Sequence, residues 1–600
     1  MKWQFYTGSA VKPAGWLLRQ LQIQAEGLSG NLDKVWPDIR DSAWIGGDRE
    51  GWERVPYWLD GFIPLAYLLE DQDLIARAKR YMDAIIAAQK PSGWICPCSE
   101  EEIPTYDSWA VQLISKVLVV YYQYSADPRV PEVLYRVLKN YHELLKSGRI
   151  TLFRWGKARW FECFIAIGFL WERQEEPWLR ELAVLLKEQG THYPDLMELW
   201  KRPVNKWTFE THIVNIGMML KYEAVSFALL GEEYTDMAET LYARLQRYNG
   251  TPVETFTGDE CLSGLSPIQG TELCAVVEQM YSCQLLYAAT GDGKWADRLE
   301  VMAFNALPAT LSEDMWAHQY DQLSNQIACR TFPGKPIFST NNRDAHLFGL
   351  EPNYGCCTAN FSQGWPKFAR MAYLHRGNEI ISALAVPSVL DCPQAKITLR
   401  TDYPFRNRFL YTLEAREAIS FRMRIPGFAK KLTVNGAPET KVELHLEAGE
   451  RRSLEVAFEA DIRVEQRPYN LHTVRWGNLV FALPIGYDKV MLEYEKNGVE
   501  RKFPYCDYEY LPKEPWNYGF ADSGFTLEQR EVGQVPFSES CPPVVIRTKL
   551  QQIPWGLEDR YEGVCAKVPA STEPVGEPEE KLLYPYGCAK LRMTELPFVS

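Results

Sequence analysis

The residues best suited to chemistry are Glu272 and Cys274 in the run GTELCAVVEQ, and the vicinal pair Cys356-Cys357 in NYGCCTANF, Cys356 lying 82 positions after Cys274. Three thiols and one carboxylate complete a tetrahedral donor set for zinc, yet neither segment has the C-x2-C spacing of a zinc finger. Such a site has to be assembled by the fold. Adjacent cysteines lie far from disulfide geometry, so the pair suits metal binding or nucleophilic chemistry better than a bridge. Spacing alone leaves open the alternative that these thiols are small buried hydrophobes.

Other residues read as partners of a pocket. The chain holds 20 Trp, 32 Tyr and 26 Phe. In SAWIGGDREGWERVPYWLDGF the residues Trp44, Trp52, Tyr57 and Trp58 stand among Gly, Asp and Arg, the company of a loop. Flat rings beside carboxylates and amides hold sugars; rings that pin a loop onto the first helices would look the same. MWAHQYDQLSNQ, with His318, Gln319, Tyr320 and Gln322, reads as a pocket wall. His212 opens an apolar helix with Asn215 on the same face, where a histidine serves either a ligand or the backbone. Cys163, Cys261, Cys283 and Cys329 read as buried spectators.

The elements that must position these residues change character once. Up to about residue 375, twelve windows carry apolar 3.6 periodicity, among them DSWAVQLISKVLVVYYQY, FETHIVNIGMMLKYEAVSFALL and TELCAVVEQMYSCQLLYAAT. Short connections imply antiparallel pairs, and six hairpins suit either a closed toroid or an open solenoid. From about 380 onward alternation takes over, as in KITLRTDYPF and RSLEVAFEADIRVEQ, with Asn-Gly and Pro-Gly turns. The expected division is a helical domain over 1–375 and a β-sandwich region over 376–600, of one or two subdomains, with KVPASTEPVGEPEEK at 568–581 as a surface loop. A length of 600 residues exceeds one core.

Composition narrows the function. A net charge of −13 and pI near 5.4 exclude the basic stripe of a nucleic-acid binder. No stretch reaches 18 uninterrupted apolar residues, and MKWQFYTGSAVKPAGWLLRQ has no apolar signal core, so a soluble cytoplasmic protein with no membrane partner is expected. Fourteen irregularly spaced cysteines fit a reducing compartment rather than a disulfide scaffold.

Gly270-Thr271-Glu272-Leu273-Cys274, Tyr354-Gly355-Cys356-Cys357 and the upstream Gly258-Asp259-Glu260, set in a helical half followed by β-structure, resemble glycoside hydrolase family 127, the β-L-arabinofuranosidase family. The resemblance covers most of 1–375 and continues more weakly to the PYGCAKLRM ending. It implies an (α/α)6 barrel with a zinc held by Glu272, Cys274, Cys356 and Cys357, and Cys356 as nucleophile of a retaining mechanism. The family's acid/base glutamate corresponds to Glu260, with Asp259 as the alternate register. Glu300 and His212 fall where the family contacts sugar hydroxyls. The chain departs from the family on the early helices, where TYDSWAVQL and ARWFECF supply Asp107, Trp109, Arg159 and Glu162 in place of sugar-contacting histidines. That exchange points to a different pentose-like sugar.

The chemistry is coherent in its own terms. An oxocarbenium-like transition state needs one group to protonate the leaving oxygen and another to attack the anomeric carbon; a carboxylic acid and a thiolate can do these. The expected function is therefore an exo-acting retaining glycosidase on oligosaccharide ends, in a chain that could form homo-oligomers. An (α/α)6 epimerase or lyase would rely on histidine or tyrosine acid/base pairs, and a non-catalytic zinc-stabilised carbohydrate-binding protein would not need Glu260.

Overall fold

The computed structural model describes residues 1–561 and 563–600. Its helices sort by how much of their circumference is apolar. Trp109–Ser125, apolar almost all round, is buried along nearly its whole length. Val130–Lys146 carries one stripe, Val133, Leu134, Val137, Leu138, Tyr141, Leu144 and Leu145, and turns its charged face outward. A helix without a polar face has to be enclosed, and a striped one can cover it. Six enclosed helices, Arg54–Leu68, Trp109–Ser125, Cys163–Trp171, Tyr222–Leu230, Leu273–Thr290 and Gly364–Arg370, each pack on the next, and the last returns to the first. Striped helices back them: Gln72–Ala87, Val130–Lys146, Pro177–Gln189, Gly293–Val301 and Gly15–Glu26. The helical half is thus a closed double ring. Closure depends on Gly61, where a Cβ would lie 2.1 Å from the Ser362 carbonyl carbon.

Three helical expectations need correction. The window FETHIVNIGMMLKYEAVSFALL is two helices, Ile213–Met219 and Tyr222–Leu230, bent by 48°. The stretch read as loop because of its Gly and charged residues becomes helix from Arg54, so that Tyr57 and Trp58 belong to an inner helix. Another of the twelve periodic windows, YTDMAETLYARLQRY over residues 234–248, starts as helix only at Met237. Among the described residues no single helix is long and apolar enough to cross a membrane.

The bore of the ring is charged. Each inner helix, or the residue just before it, delivers one ionisable group: Asp60, Lys116, Glu162, Lys221, Glu278 and Lys367. Lys116 Nζ lies 3.1 Å from Asp60 Oδ2 and 3.3 Å from Glu162 Oε2, Lys221 pairs with Glu162, and Lys367 Nζ is 2.6 Å from Asp60 Oδ2. Gln363 links Lys367 to Glu278 at 2.8 and 2.9 Å. All three ammonium groups lie within 5.4 Å of the Tyr281 ring centre. Burial pushes the Asp60 carboxyl up, but Lys116 and Lys367 together hold it below its ordinary range.

Among the described residues, strands follow one another without intervening α-helix from Tyr373 onward. Gln4–Phe5, Tyr373–Arg376, Glu379–Ser382, Ile419–Met423 and Val442–Leu446 form one sheet in that order. A seven-stranded sheet runs through Arg451–Glu459, Arg408–Ala415, Ala395–Thr401 and Ser388–Asp391 to Val11–Pro13. The N-terminal segment therefore completes both sheets, whose facing sides meet at Tyr411 and Phe421, with ring centres 5.3 Å apart. A third sheet of nine strands is built around Leu479–Pro484, Val575–Pro585 and Val544–Gln552, and its Arg592–Met593 strand pairs with Asn325–Gln326 of the helical half. Val575–Pro585 overlaps the stretch expected as loop. It is a strand exposed over its first six residues, so no apolar alternation announced it.

Candidate active site at the mouth of the helical ring

Glu272 closes the two-residue strand Thr271–Glu272, paired with Asp321–Gln322, and stands at the N-cap of Leu273–Thr290. Cys274 is therefore in the first turn of that helix, and Cys356 and Cys357 open the short helix Cys356–Asn360. Helix N-termini favour anions, which suits thiolates. The turn before Cys356 packs so tightly that a Cβ on Gly355 would come within 2.5 Å of the Trp36 indole. These elements bring one donor atom from each of Glu272, Cys274, Cys356 and Cys357 within 4.8 Å of one another.

The set fits a soft divalent cation. Glu272 Oε2 is buried without a hydrogen-bond partner, and the Cys357 sulfur lies 3.7 Å from Glu272 Oε1. Burial, then the neighbouring Glu260 charge, push the Glu272 carboxyl well up, and burial likewise raises the Cys274 and Cys357 thiols. Cys356 goes the other way. Hydrogen bonds from Cys274 and Cys357 hold it well below the usual thiol range against the cost of burial, with Arg54 and Tyr320 adding to the effect.

Glu260 faces the same cavity. The Ile213 amide donates to its carbonyl at 2.8 Å and an isolated bridge joins His212 to Cys261, which aligns the two side chains. The Glu260 carboxylate accepts from the Tyr320 hydroxyl at 2.6 Å and the Trp207 indole at 2.8 Å, with His212 Nε2 at 3.2 Å. Tyr320 Oη also lies 3.3 Å from Cys356 Sγ, so one hydroxyl links the carboxylate and the sulfur. The cavity, about 350 Å³, is walled by Trp52, Tyr57, Trp155, Trp207 and Tyr354, with Glu53, Arg54 and Arg159 among its polar residues.

Of the residues expected at the site, Cys356, Glu260, Glu272, Cys274, His212 and Tyr320 line this cavity, as do Trp52 and Tyr57, while Cys357 completes the donor group behind it. Several others do not. Asp259 points away from it: its carboxylate accepts from Gln269 and from the Gly270 and Ser339 amides, and burial pushes it up to about 6. Glu300 lies at the junction with the sheets, paired with Arg424 and accepting from Tyr403 at 2.5 Å and Asn478 at 2.7 Å. Glu162 belongs to the charged bore. Asp107 accepts from the Trp109, Trp155 and Gly156 amides, and Trp109 supports Glu53 through its indole N–H at 2.9 Å. His318 lies 3.0 Å from the Thr358 hydroxyl, behind the Cys356–Asn360 helix. Trp44 and Trp58 are buried in packing.

Sequence reading missed Glu53, Arg54, Trp155, Trp207 and Tyr354. Glu53 and Arg54 looked like loop charges, and the available signal was their position one helical turn before Tyr57. At Glu53, burial outweighs Arg54 and Arg159 and pushes the carboxyl up to about 7.

The profile of the β-L-arabinofuranosidase GH127 catalytic domain matches residues 245–370, which span Glu260 and all four donor residues. No curated protein matches the chain. Among solved structures, a GH127 β-arabinofuranosidase superposes with a TM-score of 0.70 at 13% identity, covering 100% of this chain and 98% of its own. A GH127 β-L-arabinofuranosidase from Geobacillus stearothermophilus T6 gives 0.68 at 16% identity, with 98% of both chains covered. A structure described as a glycoside hydrolase gives 0.69 at 14%, covering 100% and 98%. These structures share the fold along the whole length of the chain, and the profile match to the GH127 catalytic domain falls on the segment that builds the cavity.

Proposed function

We propose that this protein is a glycoside hydrolase of the family 127 kind, a retaining, exo-acting enzyme in which Cys356 is the nucleophile and Glu260 the acid/base, releasing β-L-arabinofuranose or a related pentose-like sugar from oligosaccharide ends. The observation that carries the reading is the Tyr320 hydroxyl, 2.6 Å from Glu260 Oε1 and 3.3 Å from Cys356 Sγ. It sets a carboxyl group and a sulfur at the same end of one cavity. Glu272, Cys274, Cys356 and Cys357 would hold zinc, which keeps coordinated thiols deprotonated.

In the first displacement, the Cys356 sulfur forms a bond to the anomeric carbon as Glu260 gives its proton to the departing oxygen. In the second, Glu260 takes a proton from water as the water oxygen displaces the sulfur. Two inversions give net retention. Trp207 and His212 hold the Glu260 carboxylate in one orientation through both steps, and the aromatic wall excludes bulk water. Fourteen cysteines, with no disulfide among the described residues, go with a cytoplasmic site of action.

The test combines product stereochemistry with metal content. NMR before mutarotation should show retained configuration, and elemental analysis of protein purified without chelator should find about one zinc per chain. Inverted product would exclude the thioglycosyl route. Absence of zinc with no uptake on reconstitution would remove the metal from it.

A further inference from the structure

We propose that the sugar accepted by this cavity carries a carboxylate and that Arg159 is the residue that selects it, an inference that rests on the glycosidase reading above. Arg159 is 3% exposed and lines the cavity. Its guanidinium lies 4.6 Å from the Trp109 ring centre and 4.3 Å from that of Trp155. Its Nε donates to Asn215 Oδ1 at 2.8 Å and its Nη1 to the Tyr57 hydroxyl at 2.9 Å, both neutral acceptors.

Among the described residues, the carboxylate within ion-pair reach is Glu53, whose Oε2 stands 3.6 Å from Arg159 Nη1. That oxygen already accepts from the Trp109 indole at 2.9 Å, and Oε1 accepts from Arg54 Nη1 at 3.0 Å. Glu278 lies deeper, where its Oε1 takes Asn360 and Gln363 at 3.1 and 2.9 Å. Arg159 Nη2 makes no side-chain hydrogen bond among the described residues. One carboxylate thus serves two guanidinium groups and is committed to Arg54.

A buried cation whose hydrogen bonds go to neutral groups is stabilised by an anion that reaches its free edge, and a planar guanidinium matches a carboxylate in two parallel bonds. Sugar hydroxyls would leave the charge as it stands. The placement also fits a single ring: Trp155 is shared between Arg159 and His212, whose ring centre is 5.1 Å from that of Trp155, and His212 in turn touches Glu260. A glycone seated along Trp155 would present its anomeric carbon to Cys356 and Glu260 and its acidic substituent to Arg159.

The experiment uses the full chain loaded with zinc and aryl glycoside pairs that differ only in CH2OH against COO⁻: arabinofuranoside and arabinofuranosiduronate, galactoside and galacturonide, glucoside and glucuronide. In parallel, binding of galacturonate, glucuronate and arabinuronate is compared with that of the neutral sugars by tryptophan fluorescence. At least one acidic member should exceed its neutral partner about tenfold or more in kcat/KM and in affinity. Arg159→Gln should bring that ratio close to one through KM, and Arg159→Lys should keep part of it. Neutral glycosides cleaved as well as their acidic partners would overturn the inference and leave the glycosidase reading standing. Preferential binding of acids without any cleavage would do the reverse. Equal binding in every pair, with or without cleavage, would overturn it, and the wild-type comparison decides even if the variants fail to fold.

Discussion

Glu260→Gln tests the acid/base assignment with little structural disturbance. The carboxylate takes donors on both oxygens, Tyr320 on Oε1 and Trp207 on Oε2. An indole N–H can only donate, so the glutamine carbonyl must face Trp207 and its amide must face Tyr320. The Tyr320 hydroxyl can accept from that amide and turn its own proton to Cys356 Sγ, 3.3 Å away. Both contacts survive, and thermal stability and metal content should stay near wild type. What is lost is the ionisable proton, worth about a hundred- to ten-thousandfold in rate. Steady-state rates on alkyl glycosides should fall by that factor. Dinitrophenyl glycosides, whose leaving group needs no protonation, should retain a burst of the first step followed by slow turnover. Asp259→Asn provides the contrast, because buried Asp259 serves three donors, Gln269 and the Gly270 and Ser339 amides, and its loss should cost stability of about 1–3 kcal/mol while sparing kcat. Near-normal turnover in Glu260→Gln with a crippled Asp259→Asn would refute the assignment.

Other expectations follow from the same geometry. Cys356→Ser should abolish turnover while zinc falls less than in Cys274→Ser, and an epoxide or haloacetamide glycone analogue should label Cys356 in mass spectra; labelling elsewhere would contradict its role. Glu300→Ala, which leaves Arg424 to Asp297 alone and takes the acceptor from buried Tyr403 and Asn478, should lower stability by about 1–3 kcal/mol in urea titrations and leave kcat per folded molecule unchanged. Burial, with Arg592 behind it, pushes His346 down to about 3, so the stability it contributes is complete above the unfolded value near 6.5 and is lost as pH falls towards 3. Between pH 6.5 and 5 that loss is about 2 kcal/mol, and His346→Gln should flatten the slope in denaturation curves.

The candidate metal donors were legible because sequence neighbours carry them: Glu272 and Cys274 share a helix start, and Cys356 and Cys357 are adjacent. The alternation of helix and then sheet was legible for the same reason, since periodicity is local. What was not legible depends on distant partners. Glu300 and Glu260 are both buried glutamates, and only the arrival of Arg424, more than a hundred positions later, makes the first a structural ion pair. Asp107 and Glu162 likewise look available in sequence but are occupied by backbone amides and by lysines of other helices. Glu53 and Arg54 were hidden by Gly and Asp neighbours that disguised the first turn of an inner helix.

The charged bore bears on how the chain is made. Asp60 emerges from the ribosome on the first inner helix, and Lys116 on the second can satisfy it early. Its other partner, Lys367, lies 307 residues further on. Every intermediate length therefore exposes an open arc with an incomplete set of buried charges, and such charges are costly without their partners. Synthesis ends this state at one moment, when Gly364–Arg370 slots between Leu273–Thr290 and Arg54–Leu68 and Gly61 lets the Ser362 backbone seat. The helix that locks the ring follows directly on Cys356–Asn360. The last two thiols of the donor set are thus delivered by the segment that finishes the barrel, so that a nascent chain cannot assemble this candidate cation site before its scaffold is shut.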